Sequence, residues 1–271
     1  MPLCGAYRMF LNKKDESFMY LLTADTTAKT ASVCIARDHP LFGVLPVAQF
    51  TQNGTLTHSE SLLPLIDRAL SLSSLALSDI SALALPAGPG SFTGVRIGVS
   101  AFKGLSFALG KEVPCIPLST LECLAENLSH CAENTILCPL MDARRNQFYN
   151  ALFVVKGGVV KRLCPDRVIT AKELSAELSK RYARRRVVLN GDGAELFFSL
   201  LSDEEKKPPH ITLCAPRDLY EDAFSAAVVA ARILRSGVDL SRFTGEALAP
   251  TYLRLSQAER ERNEKLKRET L

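Results

Sequence analysis

The residues best spaced for chemistry lie between Leu83 and Leu109, in the run LALPAGPGSFTGVRIGVSAFKGLSFAL. Gly88 and Gly90 fall where an apolar strand gives way to a helix, and glycine there permits positive φ or a close backbone approach. Ser91 or Thr93 can cap that helix, whose free N–H groups and partial positive charge suit an anion. The same pattern also describes a tight turn followed by a helix built for close packing, because Gly94, Gly98 and Ala101 keep one face thin. The standard phosphate motifs do not match. GxxxxGK[ST] is absent, and Gly88, Gly90 and Gly94 give GxGxxxG in place of GxGxxG. On physics alone the packing reading is favoured.

Other candidates are sparser. Asp25, in TADTTAK, and Asp142, in MDARR, follow apolar runs, where each could serve as an acidic site or simply end a strand and cap a turn. His58 opens a helical stretch, but Leu62 stands four residues on, so that face offers no second metal ligand. A helix-terminal polar role suits His58 better, and no metal is expected. Ser91 has no positioned base that the sequence reveals, and no catalytic residue is assigned. The eight cysteines contain no CxxC pair, and several lie in apolar runs, such as Cys34 in SVCIA and Cys138 in ILCPL. They read as reduced core thiols of a cytoplasmic protein.

The elements that must position these residues follow from hydrophobic period. Strands are expected at Tyr20 to Ala24, Ala31 to Ala36 and Val44 to Phe50. A helix follows with Leu62, Leu65, Ile66, Ala69 and Leu70 on one stripe, and Pro64 predicts a kink or a late start. Ile80 to Leu85 is a buried strand, Phe92 to Leu109 a helix, Val113 to Pro117 a strand, and Ser119 an N-cap for the next helix. Strands then recur at Ile136 to Met141, Phe148 to Val155 and Val159 to Cys164, with a helix from Ala171 to Tyr182, a strand at Val187 to Leu189 and a helix from Ala223 to Leu234. Each half opens with strands and then alternates with helices, which predicts an α/β fold with mixed sheets. Hydrophobic residues at 47% and charged residues at 23% are those of a globular chain, and a net charge of +4 is too small to imply nucleic-acid binding. Arg181 and Arg184 to Arg186 read as a solvated helix end. No membrane span or targeting signal is expected. Residues 1–18 read as an extension, with Met1, Met9 and Met19 as alternative starts, and 256–271 as a charged tail of alternating sign.

The string GPGSFTGVRIGVSAFKGLSFALG resembles the signature of the TsaB (YeaZ) family. LLTADTTAKTASVCIA, THSESLLPLI, MDARRNQFYNALF, NGDGAELF and PTYLRL resemble further family segments in the same order, from Met19 to Leu255. The resemblance implies the actin-like ATPase (ASKHA, ribonuclease H-like) fold, with two related subdomains of mixed sheets flanked by helices. Residues 19–118 would form the first subdomain, 119–220 the second, and 221–255 a helix and strand packing back on the core.

It also implies a partner subunit without activity of its own, which binds and activates a TsaD-type catalytic subunit in threonylcarbamoyl transfer to the adenosine beside the tRNA anticodon. TsaD-type relatives carry two histidines at i and i+4 on the first helix; here His58 remains and Leu62 replaces the second. Neither Asp25 nor Asp142 is followed by the glycine turn of a nucleotide cleft. Asp25, Gly88, Gly90, Ser91 and Thr93 are the candidates for a nucleotide or anion turn. His58, Leu62, Gly94, Val95, Gly98, Val99 and Phe102 are the candidates for the partner interface, on the helices of about 59–72 and 91–109. No tightly bound cofactor is implied, although ATP or ADP at the interface of the complex is. A TsaE-type ATPase, tRNA reached through the complex, and a homodimer in the partner's absence complete the expected partners. The alternatives are a nucleotide-binding actin-fold protein, as phosphotransferase or regulator, and a glycoprotease-like peptidase.

Overall fold

The computed structural model describes residues 19–39, 42–54, 57–110, 113–206 and 211–254. The expected extension over 1–18 and the charged tail over 256–271 lie outside them. Three strands open the fold, β1 (Met19–Asp25), β2 (Ala31–His39) and β3 (Gly43–Gln52), followed by α1 (His58–Ser73), β4 (Ala82–Pro86), α2 (Phe92–Ala108), β5 (Cys115–Leu118) and α3 (Thr120–Glu126). They build a sheet of order β3-β2-β1-β4-β5, with β1, β2 and β3 antiparallel and β4 and β5 parallel to β1.

The second half repeats the plan. β6 (Ile136–Asp142), β7 (Gln147–Asn150), β8 (Phe153–Lys156), β9 (Val159–Arg162) and β10 (Arg167–Thr170) precede α4 (Ala171–Arg181), β11 (Val187–Asn190), α5 (Ala194–Leu200), α6 (Asp203–Lys206), β12 (Ile211–Leu213) and α7 (Ala223–Arg235). β6, β11 and β12 are parallel, as β1, β4 and β5 are, and the antiparallel strands lie on the other side of β6. Two mixed sheets with helices on both faces form two subdomains of the same plan, an α/β fold as expected.

Burial explains the layering. α1 and α2 cover one face of the first sheet through Leu62, Ile66, Val95, Val99 and Phe102, packed on Leu22, Val33, Ile35, Leu83 and Leu85. α4 and α5 cover the corresponding face of the second through Leu174, Leu178 and Phe197. The inner faces meet α7 and α3: Ala226, Val229 and Ala230 pack on Leu21, Ala84 and Ile116, while Leu121, Leu124 and Leu128 pack on Leu137, Phe153 and Val188. α7 is thus the C-terminal return onto the first sheet, tied there by the Thr23 hydroxyl donating to the Ala223 carbonyl at 2.6 Å. Among the described residues no helix is long and apolar enough to cross a membrane.

Three local expectations are corrected. The strand expected from Phe148 to Val155 is two, β7 and β8, because the chain bends at Ala151 and Leu152 so that each piece pairs with a different stretch of β6. α1 does not start late: it begins at His58, with Pro64 on its exposed side. The Thr57 N–H donates to Glu60 Oε2 at 2.9 Å, so the first turn is set before Pro64 removes a donor. The described part of PTYLRL forms no strand, since Pro250 offers no N–H and Thr251 N–H donates singly to the Ala87 carbonyl. α5, α6, β10 and β12 have no counterpart in the hydrophobic pattern.

Candidate functional site

The end of β1 brings together most of the residues that the sequence singles out. Asp25 is buried, and its Oδ1 accepts from the Thr27 N–H at 2.8 Å and the Thr27 hydroxyl at 2.7 Å. Its Oδ2 is buried without a hydrogen-bond partner. Burial pushes the Asp25 pKa above the ordinary carboxylate range, against the Thr27 hydrogen bonds that lower it. Glu221 is also buried, takes the Thr30 hydroxyl on Oε2 at 3.2 Å and leaves Oε1 without a partner. Burial, then the carboxylates of Asp25 and Asp192, push the Glu221 pKa up as well. Three more buried oxygens without partners, on Thr120, Asn127 and Asn190, belong to α3 and the end of β11. This seam between the subdomains is rich in acceptors and acids, the reverse of what polyphosphate requires.

The glycine turn is filled by the chain itself. A Cβ on Gly88, which has φ +131°, would strike the Thr251 carbonyl. A Cβ on Gly90 would come 2.6 Å from the Thr27 carbonyl, to which the Ser91 N–H donates. The Ser91 hydroxyl caps α2 by accepting from the Gly94 N–H at 3.3 Å, so the expected cap is present. Gly94 lies against the Thr26 carbonyl and Gly98 against the Thr26 hydroxyl, which donates to the Gly94 carbonyl at 2.8 Å. The space a side chain would need at Gly88 and Gly90 is thus taken by Thr251 and Thr27, and the Ser91 N–H is spent on the Thr27 carbonyl. Thr93 lies elsewhere, exposed on the outer side of α2.

Residues 243–254 strap this turn down. The Phe243 carbonyl accepts from the Cys115 N–H at 2.7 Å, Leu248 enters the core, and Thr251 crosses Ala87. Tyr252 stacks on Phe92 with ring centroids 4.8 Å apart and takes the Arg96 guanidinium on its hydroxyl at 2.8 Å. Arg254 reaches the Ala143 carbonyl of the second subdomain.

The partner-interface candidates divide. Leu62, Val95, Val99 and Phe102 are buried in the first subdomain's own core, and Gly94 and Gly98 receive the Asp25–Ala28 turn. They hold the helix pair in place and present no surface. His58 is half-buried at the head of α1, where Nε2 donates to the Ala28 carbonyl at 2.6 Å. Among the described residues no group of three or more histidine, cysteine or carboxylate side chains could hold a metal ion. What α1 and α2 do expose is a groove of about 490 Å³, lined by His58, Leu63, Phe92, Arg96, Ile97 and Ala101 among others. Leu63 in its lining is 53% exposed, and Phe107, farther along α2, is 90% exposed.

The chain matches the model of the family TsaD, tRNA N6-adenosine threonylcarbamoyltransferase, over residues 43–261. It is 27% identical over 241 residues to the tRNA threonylcarbamoyladenosine biosynthesis protein TsaB of Bacillus subtilis, covering 89% of this chain and 96% of that one. The protein of the same name from Haemophilus influenzae is 38% identical over 131 residues, 48% of this chain and 51% of that one. The chain belongs to the TsaD family, in its TsaB (YeaZ) group.

A solved YeaZ structure from Pseudomonas aeruginosa superposes with a TM-score of 0.66 at 22% identity, over 87% of this chain and all of that one, and shares its fold. In this TsaB-group chain the sequence reading missed Thr26, Thr27, Glu221 and Thr251, whose contacts close the turn, and Leu63 and Ile97, which form the open groove. Leu63 and Ile97 carried a signal: Leu63 follows the buried Leu62 by one position and Ile97 stands one position before the buried Gly98, so each lies at the edge of its helix's core stripe. The others carried none, since their partners lie far along the chain.

Proposed function

We propose that this chain is the non-catalytic subunit that binds and activates a TsaD-type catalytic subunit in threonylcarbamoyl transfer to the adenosine beside the tRNA anticodon. One observation carries the reading: the turn that an actin-like enzyme would use for phosphates is occupied by Thr27 and Thr251, while the groove on α1 and α2 is open and apolar. A closed cleft leaves no room for phosphoryl or acyl chemistry at Asp25. An exposed apolar groove rimmed by polar residues is the usual mark of a protein partner.

The partner's first helices pack against α1 and α2, with Leu63, Ile97 and Ala101 at the centre and His58 and Arg96 at the rim. The same face carries a homodimer when the partner is absent. A TsaE-type ATPase joins the assembly, which works in the cytoplasm. Any ATP or ADP is held at the joint surface of the complex, not in this chain's own cleft, and tRNA is reached through the complex. The test is threonylcarbamoyl transfer to tRNA from threonylcarbamoyl adenylate, with this chain alone, the TsaD-type subunit alone, and both with the ATPase and ATP. Product only where this chain and the catalytic subunit are together supports the reading; product from this chain alone ends it.

A further inference from the structure

The turn between α4 and β11 carries Arg184, Arg185 and Arg186, all exposed. Its backbone is pinned at two points. The Arg185 N–H donates to the Tyr182 carbonyl at 2.8 Å, and the Arg186 carbonyl accepts from the Ile136 N–H at 2.9 Å. Five other arginines find carboxylates across the fold: Arg162 pairs with Glu122 and Asp166, Arg167 and Arg181 with Glu177, Arg232 with Glu126, and Arg235 with Asp38. Among the described residues no carboxylate or hydrogen bond engages the side chains of Arg184, Arg185 or Arg186.

The helix dipole does not account for them, since Lys180 and Arg181 already occupy the last turn of α4. Strand register brings a fourth cation to the same end of the sheet. Ile136 pairs with Val187 on one side and Val154 on the other, which places Lys156, at the end of β8, two strand spacings or about 10 Å from Arg186. Glu133, beside Lys156, is occupied: both its oxygens accept from the Gly157 N–H, at 3.0 and 3.1 Å. The hollow of about 250 Å³ beside this turn, lined by Ala183 and Val187, carries two acids, Glu204 and Glu205, of which Glu205 already accepts from the Ser202 N–H at 2.8 Å and the Ser202 hydroxyl at 2.7 Å.

Rigid presentation, exposure and missing counter-charge suit a ligand that supplies a row of anions. Guanidinium forks match phosphate oxygens in pairs, and they do so without reading sequence. We propose that Arg184, Arg185 and Arg186, flanked by Lys156, form a contact for the phosphate backbone of RNA. Under the functional reading above, on which this inference rests, the RNA is the tRNA held by the complex.

The test uses the full chain assembled with its TsaD-type subunit. In the variant combining Arg184→Gln, Arg185→Gln and Arg186→Gln, the KM for tRNA at about 100 mM salt rises about tenfold while kcat is unchanged. The slope of log affinity against log salt falls by about one for each phosphate that is no longer neutralised. Lysine at the same three positions restores most of the affinity. Unchanged tRNA affinity and an unchanged salt slope in the glutamine variant would overturn the inference. Filter-retention binding measured alongside separates the two ideas: a complex that never modifies tRNA, yet whose RNA affinity depends on these arginines, defeats the functional reading and leaves this one standing.

Discussion

Two faces of the same helix pair behave oppositely. At the head of α2, Gly88, Gly90, Gly94 and Gly98 each lie against the chain's own backbone or side chains, and Asp25 is sealed beneath Thr27. On the outer face, Leu63 and Ile97 border a groove that none of the described residues fills. Both regions are built on small and apolar residues, so composition does not separate them; what fills the space does. The inner region is finished by intramolecular contacts, and the outer one is the face that the proposed function gives to a partner. Under the proposed function, the fold keeps its architecture while its working surface lies on the outside of the helices and not in the cleft.

The sharpest way to break this comparison is to place side chains in the closed region. Gly94→Val would drive a branched side chain into the Thr26 carbonyl and lever α2 away from β1. A loss of at least about 3 kcal/mol is expected, read as insoluble protein or a thermal midpoint lower by at least about 5 °C. In the open region the opposite pattern is expected. Leu63→Arg should leave the thermal midpoint within about 2 °C of the parent, yet weaken binding to the TsaD-type subunit about a hundredfold by titration calorimetry. An unstable Leu63→Arg, or a stable Gly94→Val, would erase the distinction between the two regions.

Acidity sharpens the account of the seam. Asp25 and Glu221 have folded pKa values raised by burial, so the folded state holds protons that the unfolded state releases. Their contribution is fully present below the ordinary carboxylate range and is lost as pH rises through the raised values. Denaturant unfolding should therefore show lower stability at about pH 8 than at about pH 5, falling by up to about 1.4 kcal/mol per pH unit for each proton held. Glu221→Gln should flatten that slope; a slope of the opposite sign would show that both acids are ionised in the fold. The smallest effect is expected at the strap. Tyr252→Ala removes the stack on Phe92 and the Arg96 hydrogen bond. Because both are near the surface, a loss of about 1 kcal/mol is expected by the same unfolding measurement.

Much of this was legible in the residues. The first three strands, the long α2 and its Ser91 cap, the Ser119 cap of α3 and the α/β alternation follow from local pattern. So did the buried thiols: burial pushes Cys34, Cys115 and Cys138 up to about 12, as reduced core residues require. The thin face of α2 was legible too, but not its neighbour. A Gly94–Gly98 stripe reads the same whether a partner helix or the chain's own Asp25–Ala28 turn lies against it. Val95, Val99 and Phe102 were therefore expected at a surface and lie in the core. The strap at 243–254 and the acid at Glu221 were invisible for a related reason. Their meaning rests on contacts with Ala87, Gly88 and Thr30, which are more than a hundred residues away.

The central claim, that the surface works and the cleft does not, is met most directly by one reconstitution. Threonylcarbamoyl transfer to tRNA would be measured with the TsaD-type subunit, the ATPase and either Asp25→Asn or Leu63→Arg in place of this chain. The account predicts full activity with Asp25→Asn and loss of nearly all activity with Leu63→Arg. Loss with Asp25→Asn in a protein that still folds and assembles, or full activity with Leu63→Arg, would contradict it.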